Sequence, residues 1–154
     1  MYSKILVAMD GSDTSVEALD EALRMASVTG GSLHVVCVVD QAPYLPYAGY
    51  YDPSALLDAA RQDGAKVLEK AKSAIAQTGL AGDVELTETE SLSDDVPNCL
   101  KRCADRFGAD LVVMGTHGRR GLRRMVLGSV AERFLRLSSV PVLMVRGSGP
   151  VANA

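Results

Sequence analysis

The chain has 154 residues, 47% of them hydrophobic and 23% charged, enough for one domain that buries about 70% of its unfolded surface. Its 16 basic and 19 acidic side chains leave a net charge of −3, which argues against a general nucleic-acid or acidic-membrane binder. No apolar run approaches the roughly 20 residues of a membrane span, there is no signal-peptide layout, and Cys37, Cys99 and Cys103 are too few for a disulfide framework, so a cytoplasmic setting is expected.

Residues 4–9 (KILVAM) read as a short apolar strand ending at Asp10-Gly11-Ser12. Asp10 thus stands at a strand's carboxyl end, where open α/β sheets bind ligands, although an Asx turn or a helix cap would also account for it. A helix follows from between Ser12 and Thr14, with Thr14-x-x-Glu17 as a capping box, and Val16, Leu19, Leu23 and Ala26 mark its buried stripe. Gly30-Gly31 ends it. Residues 32–39 form a second strand covered on both faces, and His34 and Cys37 within it are expected to be packed or hydrogen-bonded rather than metal-bound.

Residues 40–52 (DQAPYLPYAGYYD) form an unusual loop with Tyr44, Tyr47, Tyr50 and Tyr51, placed either to cover a ligand, to touch a partner or to lie on its own domain. Asp52-Pro53 opens a second helix, in which Leu57, Ala60, Gly64, Val67 or Leu68, Ala71 and Ile75 trace a buried face up to Gly79. Residues 83–90 alternate apolar and charged, as an edge strand does. A third helix is predicted from near Ser93 to Gly108, and Cys99 and Cys103, one turn apart within it, read as packed core thiols.

Residues 111–136 (LVVMGTHGRRGLRRMVLGSVAERFLR) give a buried strand, a glycine- and arginine-rich loop and a helix. Ser129-x-x-Glu132 fits a capping box, which places the helix start at Ser129. Glycines admit close approach of backbone N–H groups, and the first amides of a helix lack internal partners, so Gly128-Ser129 suits an anion. Arg119, Arg120, Arg123 and Arg124 stand in the loop without aromatic residues to stack bases, which makes nucleic-acid binding the weaker use of their charge. Residues 141–145 form a last, apolar edge strand.

At these residues the chain resembles the universal stress protein family. Gly115-x2-Gly118-x9-Gly128-Ser129 matches the family's nucleotide-binding pattern, G-x2-G-x9-G-[S/T], without a gap, and KILVAMDGS and VVMGTHG have the same look. The Rossmann and Walker A fingerprints are both absent. The alternation of strands and helices argues by itself for a parallel sheet with helices on both faces. The resemblance adds a three-layer α/β/α fold with a five-stranded sheet of order 3-2-1-4-5, the adenine nucleotide alpha hydrolase-like arrangement. One domain over residues 1–146 and a disordered tail over 147–154 are expected.

The resemblance further implies an adenine nucleotide, ATP foremost, with Mg²⁺ travelling on it rather than held in a protein cage. Phosphates fall to Gly118, Gly128, Ser129 and Val130. Ala8, Asp10, Met114 and Gly115 line the ribose and adenine side, Val38 offers backbone hydrogen bonds to the adenine edge, and His117 and Arg119 point toward the triphosphate. It also implies a homodimer built on the edge strand Val142–Val145. The function expected is a regulatory module of the stress response. The alternatives are a slow ATPase or phosphotransferase using His117 and Asp10, and an interaction module with an empty cleft.

Overall fold

The computed structural model describes residues 1–47, 49, 52–118 and 127–148. In chain order its elements are β1 (Lys4–Ala8), α1 (Asp13–Thr29), β2 (Ser32–Val39), α2 (Pro53–Thr78), β3 (Gly82–Glu88), α3 (Val96–Phe107), β4 (Leu111–Gly115), α4 (Ser129–Leu137) and β5 (Val142–Val145). A short 3-10 turn, Ala42–Tyr47, follows β2. The five strands form one sheet in the order β3-β2-β1-β4-β5, and every neighbouring pair is parallel. This is the adenine nucleotide alpha hydrolase-like arrangement that the resemblance implied. Among the described residues no helix is long and apolar enough to cross a membrane.

The period-2 geometry of the strands sorts the core into two layers. Ile5, Val7, Leu33, Val35, Leu111 and Val113 face α1 and α2, whereas Leu6, Val36 and Val112 face α3 and α4. Burial on both faces explains why β1 and β4 are apolar through their centres and why only His34 interrupts the apolar run of β2 from Leu33 to Val39; Ile5, Leu6 and Val7 are each 0% exposed. Edge strand β3 instead places Asp83 and Glu85 on either side of the His34 ring, with the Nδ1 and Nε2 contacts at 2.6 and 2.7 Å, while Phe107 stacks on the ring at 4.8 Å. The expectation of a hydrogen-bonded His34 is met there. Cys37, Cys99 and Cys103 are buried and in no disulfide, and the Cys99 thiol donates to the Glu88 carbonyl.

Several local expectations are corrected. Helix α1 starts at Asp13, within the expected span, with Ser12 as its cap accepting from the Ser15 N–H, so the Thr14-x-x-Glu17 box does not cap it. The buried stripe of α1 runs through Ser15, Ala18, Leu19, Ala22, Leu23 and Ala26, because small alanines let the helix approach the sheet; Val16 lies outside it, 46% exposed. Helix α3 begins at Val96 behind an Asp95 cap, since the preceding turn is held in another conformation by Asp94. The Asp94 carboxylate accepts from Arg102 at 2.9 and 2.6 Å and from the Glu90 N–H at 2.8 Å. As expected, Asp52 caps α2, and Gly30 and Gly79 close α1 and α2 with φ of 70° and 69°, the left-handed region glycine enters without strain. Beyond β5, the Ser148 N–H and hydroxyl donate to the Glu17 carboxylate of α1, and residues 149–154 of the expected tail lie outside the described residues.

The Arg102 guanidinium, and next the Glu90 amide, hold the Asp94 carboxyl well below the usual carboxylate range. A lowered folded-state pKa contributes stability that is present above the unfolded value of about 3.9 and is lost as the pH falls below it. Wild-type protein is therefore expected to lose thermal stability from about pH 4 downward, while Asp94→Asn, costing about 1–3 kcal/mol at neutral pH, shows a flatter decline. Circular-dichroism melts across that range check this; parallel declines would remove Asp94 as a contributor.

Candidate functional site

Between β1 and β4 the strand order reverses, and the loops leaving these two strands part to open a crevice at the carboxyl edge of the sheet. Ala8, Val38 and Met114, each on the α3/α4 face near the carboxyl end of its strand, form an apolar floor. Val96 and Leu100 of α3 and Val130 of α4 close it from above. The resulting cleft has a volume of about 750 Å³, in the range of small-molecule sites.

Hydrogen-bond parity directs the backbone of Val38 into this space. The Val36 carbonyl accepts from Met9 N–H at 2.9 Å, on the β1 side, and the Val39 carbonyl accepts from Thr89 N–H at 3.1 Å, on the β3 side. Along a strand these directions alternate, so Val38 turns its N–H and C=O to the β1 side, past the end of β1 at Ala8. A planar heterocycle with one donor and one acceptor on its edge fits such a pair.

Asp10 follows directly after Met9, beyond β1. Its Oδ1 accepts from the Ser12 N–H at 2.9 Å and from the Ser12 hydroxyl, so the Asx-turn reading holds, yet the residue also lines the cleft. Its other oxygen lies 2.9 Å from where a Cβ on Gly118 would stand. Any side chain at 118 would thus fill the space beside Asp10.

The two ends of the glycine loop meet at Thr116. Thr116 N–H donates to the Val145 carbonyl at 2.9 Å, and Gly128 N–H donates to the Thr116 carbonyl at 2.8 Å. A Cβ on Gly128 would sit 3.3 Å from that carbonyl and 3.8 Å from Gly118 N, which brings the second and third glycines of the pattern side by side. The capping box at Ser129 does not form. Gly128 is the N-cap residue, no side chain caps α4, and Glu132 N–H bonds the Gly128 carbonyl at 2.9 Å while the Glu132 carboxylate pairs with Arg136. Ser129 and Val130 are therefore the first helical residues, and their N–H groups, lacking intrahelical partners, carry the positive end of the helix dipole at the cleft.

The structure thus gathers Ala8, Asp10, Val38, Met114, Gly115, His117, Gly118, Gly128, Ser129 and Val130 around one cleft. Arg119 lies outside the described residues, as do Arg120, Arg123, Arg124, Tyr50 and Tyr51. Tyr44 is half-buried in the 3-10 turn, which packs on α2, and it is not among the described residues that line the cleft. Sequence reasoning passed over Val96, Leu100 and Asp40, which also line the cleft; the first two, four residues apart on the apolar face of α3, carried a readable signal. A second hollow of about 620 Å³, with Ser12, Thr14 and Lys66 on its wall, opens on the α1/α2 side, and His117 and Gly118 line both. Among the described residues no group of three or more His, Cys, Asp and Glu side chains is placed to hold a metal ion.

Comparison with known proteins places this geometry among relatives. The model of the universal stress protein family matches residues 1–146. The universal stress protein MJ0531 of Methanocaldococcus jannaschii is 34% identical, over 95% of this chain and 83% of its own, and YxiE of Bacillus subtilis is 33% identical, over 95% and 100%. A universal stress family protein from Burkholderia pseudomallei superposes with a TM-score of 0.76 at 44% identity, covering 94% of this chain and 96% of its own. Two more distant neighbours were solved with nucleotides: a universal stress protein in complex with cAMP (TM-score 0.62, 26% identity, coverage 96% and 98%) and one from Archaeoglobus fulgidus in complex with dAMP (0.67, 25%, 94% and 98%).

Proposed function

The chain belongs to the universal stress protein family, and from that premise we propose that it is an adenine-nucleotide-binding regulatory module of the stress response, with ATP as its ligand. One observation carries the reading: an uncapped helix N-terminus, at Gly128–Val130, stands beside Gly118 at the mouth of a cleft floored by apolar side chains. Solved neighbours with cAMP and dAMP support the choice of an adenine nucleotide.

The residues divide by chemistry. The amides of Gly118, Gly128, Ser129 and Val130 and the Ser129 hydroxyl hold phosphate oxygens. Ala8, Met114 and Gly115 contact the nucleoside, Val38 recognises the adenine edge through its backbone, and Asp10 accepts from the ribose hydroxyls. His117 and Arg119 complement the triphosphate, Arg119 on the strength of the sequence pattern alone. Mg²⁺ is held chiefly by phosphate oxygens and water.

The same reading includes a homodimer and a cytoplasmic setting. Of the two edges of the sheet, β3 is laced with charge, whereas β5 (VLMV) is apolar along its length and only half-buried. A bare apolar edge recruits another strand, and a second copy of β5 supplies one. Purified protein is expected to release an adenine nucleotide, identified by mass after denaturation, to bind added ATP in calorimetric titration, and to sediment as a dimer. Absence of any adenylate affinity removes the nucleotide reading, and a monomer at micromolar concentration removes the dimer.

A further inference from the structure

Thr14 stands where α1, the glycine loop and the chain beyond β5 converge. It is the second residue of α1, yet its hydroxyl serves no helix cap, because Ser12 fills that place. The Thr14 Oγ1–H instead donates to the His117 carbonyl, 103 residues away in sequence. Around it there is room only for glycine: a Cβ on Gly115 would lie 2.6 Å from Thr14 Oγ1 and 2.8 Å from its Cβ, and a Cβ on Gly147 would lie 3.0 Å from its Cγ2. The side chain is thereby wedged between two backbones, and its hydroxyl meets the loop in a set direction.

That direction matters through the planarity of the peptide bond. In a trans peptide the C=O of one residue and the N–H of the next point opposite ways. Holding the His117 carbonyl toward α1 turns the Gly118 N–H away from α1, toward Gly128, whose Cβ position is 3.8 Å from Gly118 N. His117 and Gly118 line both hollows, and Thr14, which holds the His117 carbonyl, lines the one on the α1/α2 side.

We propose that Thr14 is a positioning residue for phosphate binding: its hydrogen bond to the His117 carbonyl aims the Gly118 amide at the phosphate chain of the nucleotide. The inference rests on the reading of the cleft as an adenine-nucleotide site. It differs from that reading in placing a determinant of phosphate affinity on α1, outside the glycine pattern, in a side chain that never touches the ligand.

The test separates phosphate from nucleoside. Wild type, Thr14→Ser and Thr14→Val are titrated with ATP and with adenosine, and their melting curves are recorded. Thr14→Val should bind ATP about tenfold more weakly, the size of one well-placed hydrogen bond, while adenosine affinity changes less than about twofold. Thr14→Ser keeps the hydroxyl and should restore ATP affinity. Equal losses for ATP and adenosine would reveal a merely structural residue, and either unchanged ATP binding in Thr14→Val or a serine variant as weak as valine overturns the proposal. Should the valine variant be too unstable to titrate, Thr14→Ala removes the same hydroxyl without adding volume and is judged by the same outcomes. Wild type that binds no ATP overturns the proposed function itself, and this inference with it.

Discussion

Gly118→Glu is expected to abolish measurable ATP binding, a loss of more than about 100-fold, while leaving the melting temperature nearly unchanged. Two effects act together. The new Cβ falls 2.9 Å from Asp10 Oδ2, so the side chain occupies the space next to the nucleotide's path, and its carboxylate meets the phosphates at close range. Two unit charges about 4 Å apart repel by about 4 kcal/mol at a surface-like dielectric, and a triphosphate presents several. The fold should tolerate the change. Gly118 is not among the positive-φ glycines, so its backbone accepts a side chain, and the atom in its way is the tip of a carboxylate that can rotate.

Gly118→Gln separates bulk from charge. It should weaken ATP binding by roughly tenfold, with the remaining loss in the glutamate variant easing as salt screens the repulsion. Full ATP affinity in the glutamate variant at an unchanged melting temperature would move the phosphates away from the glycine loop.

The contrast between Gly118 and Thr14 marks how far a sequence reading reaches here. The strands were legible because burial on both faces demands unbroken apolar runs, as at Ile5, Leu6 and Val7, and because β3 alternates as an edge does. The glycine pattern was legible because it is local: Gly115, Gly118 and Gly128 all serve one loop. Capping was less so. Ser129-x-x-Glu132 has the right letters, but the helix takes Gly128 as its cap and leaves the serine inside, a choice made by the Gly128–Thr116 hydrogen bond. Val16 was misplaced because the apolar pattern alone does not reveal that Ala18, Ala22 and Ala26 set the contact line. The link from Thr14 to His117 spans 103 residues and exists only after β1 and β4 have paired.

The same dependence of a local site on distant packing sets the second large effect, Phe134→Ala. Helix α4 has nine residues, too short to persist alone in water, and buries only Ala131 and Phe134. Phe134 is 0% exposed and heads the fully buried side chains by volume, in the layer with Leu6, Val36, Leu100 and Val112. Removing its ring should cost about 3–5 kcal/mol, and at about 2–4 °C per kcal/mol the melting temperature should fall by roughly 6–20 °C.

The amides of Ser129 and Val130 belong to this helix, so loosening its hold on the sheet also loosens the phosphate site. ATP affinity should fall further than adenosine affinity, and Phe134→Leu, which keeps most of the apolar volume, should recover most of both stability and binding. Excess ATP provides an internal check, because a ligand at about 100 times its Kd adds about 2.7 kcal/mol to the native state. A Phe134→Ala protein that melts within a few degrees of wild type, or that keeps full ATP affinity, would mean that the first turn of α4 is held by contacts other than its one buried aromatic. That turn has no side-chain cap; among the described residues its entering Gly128 bonds Thr116 through its N–H and Glu132 through its carbonyl, and the packing of Phe134 beneath the turn presses the helix onto the sheet.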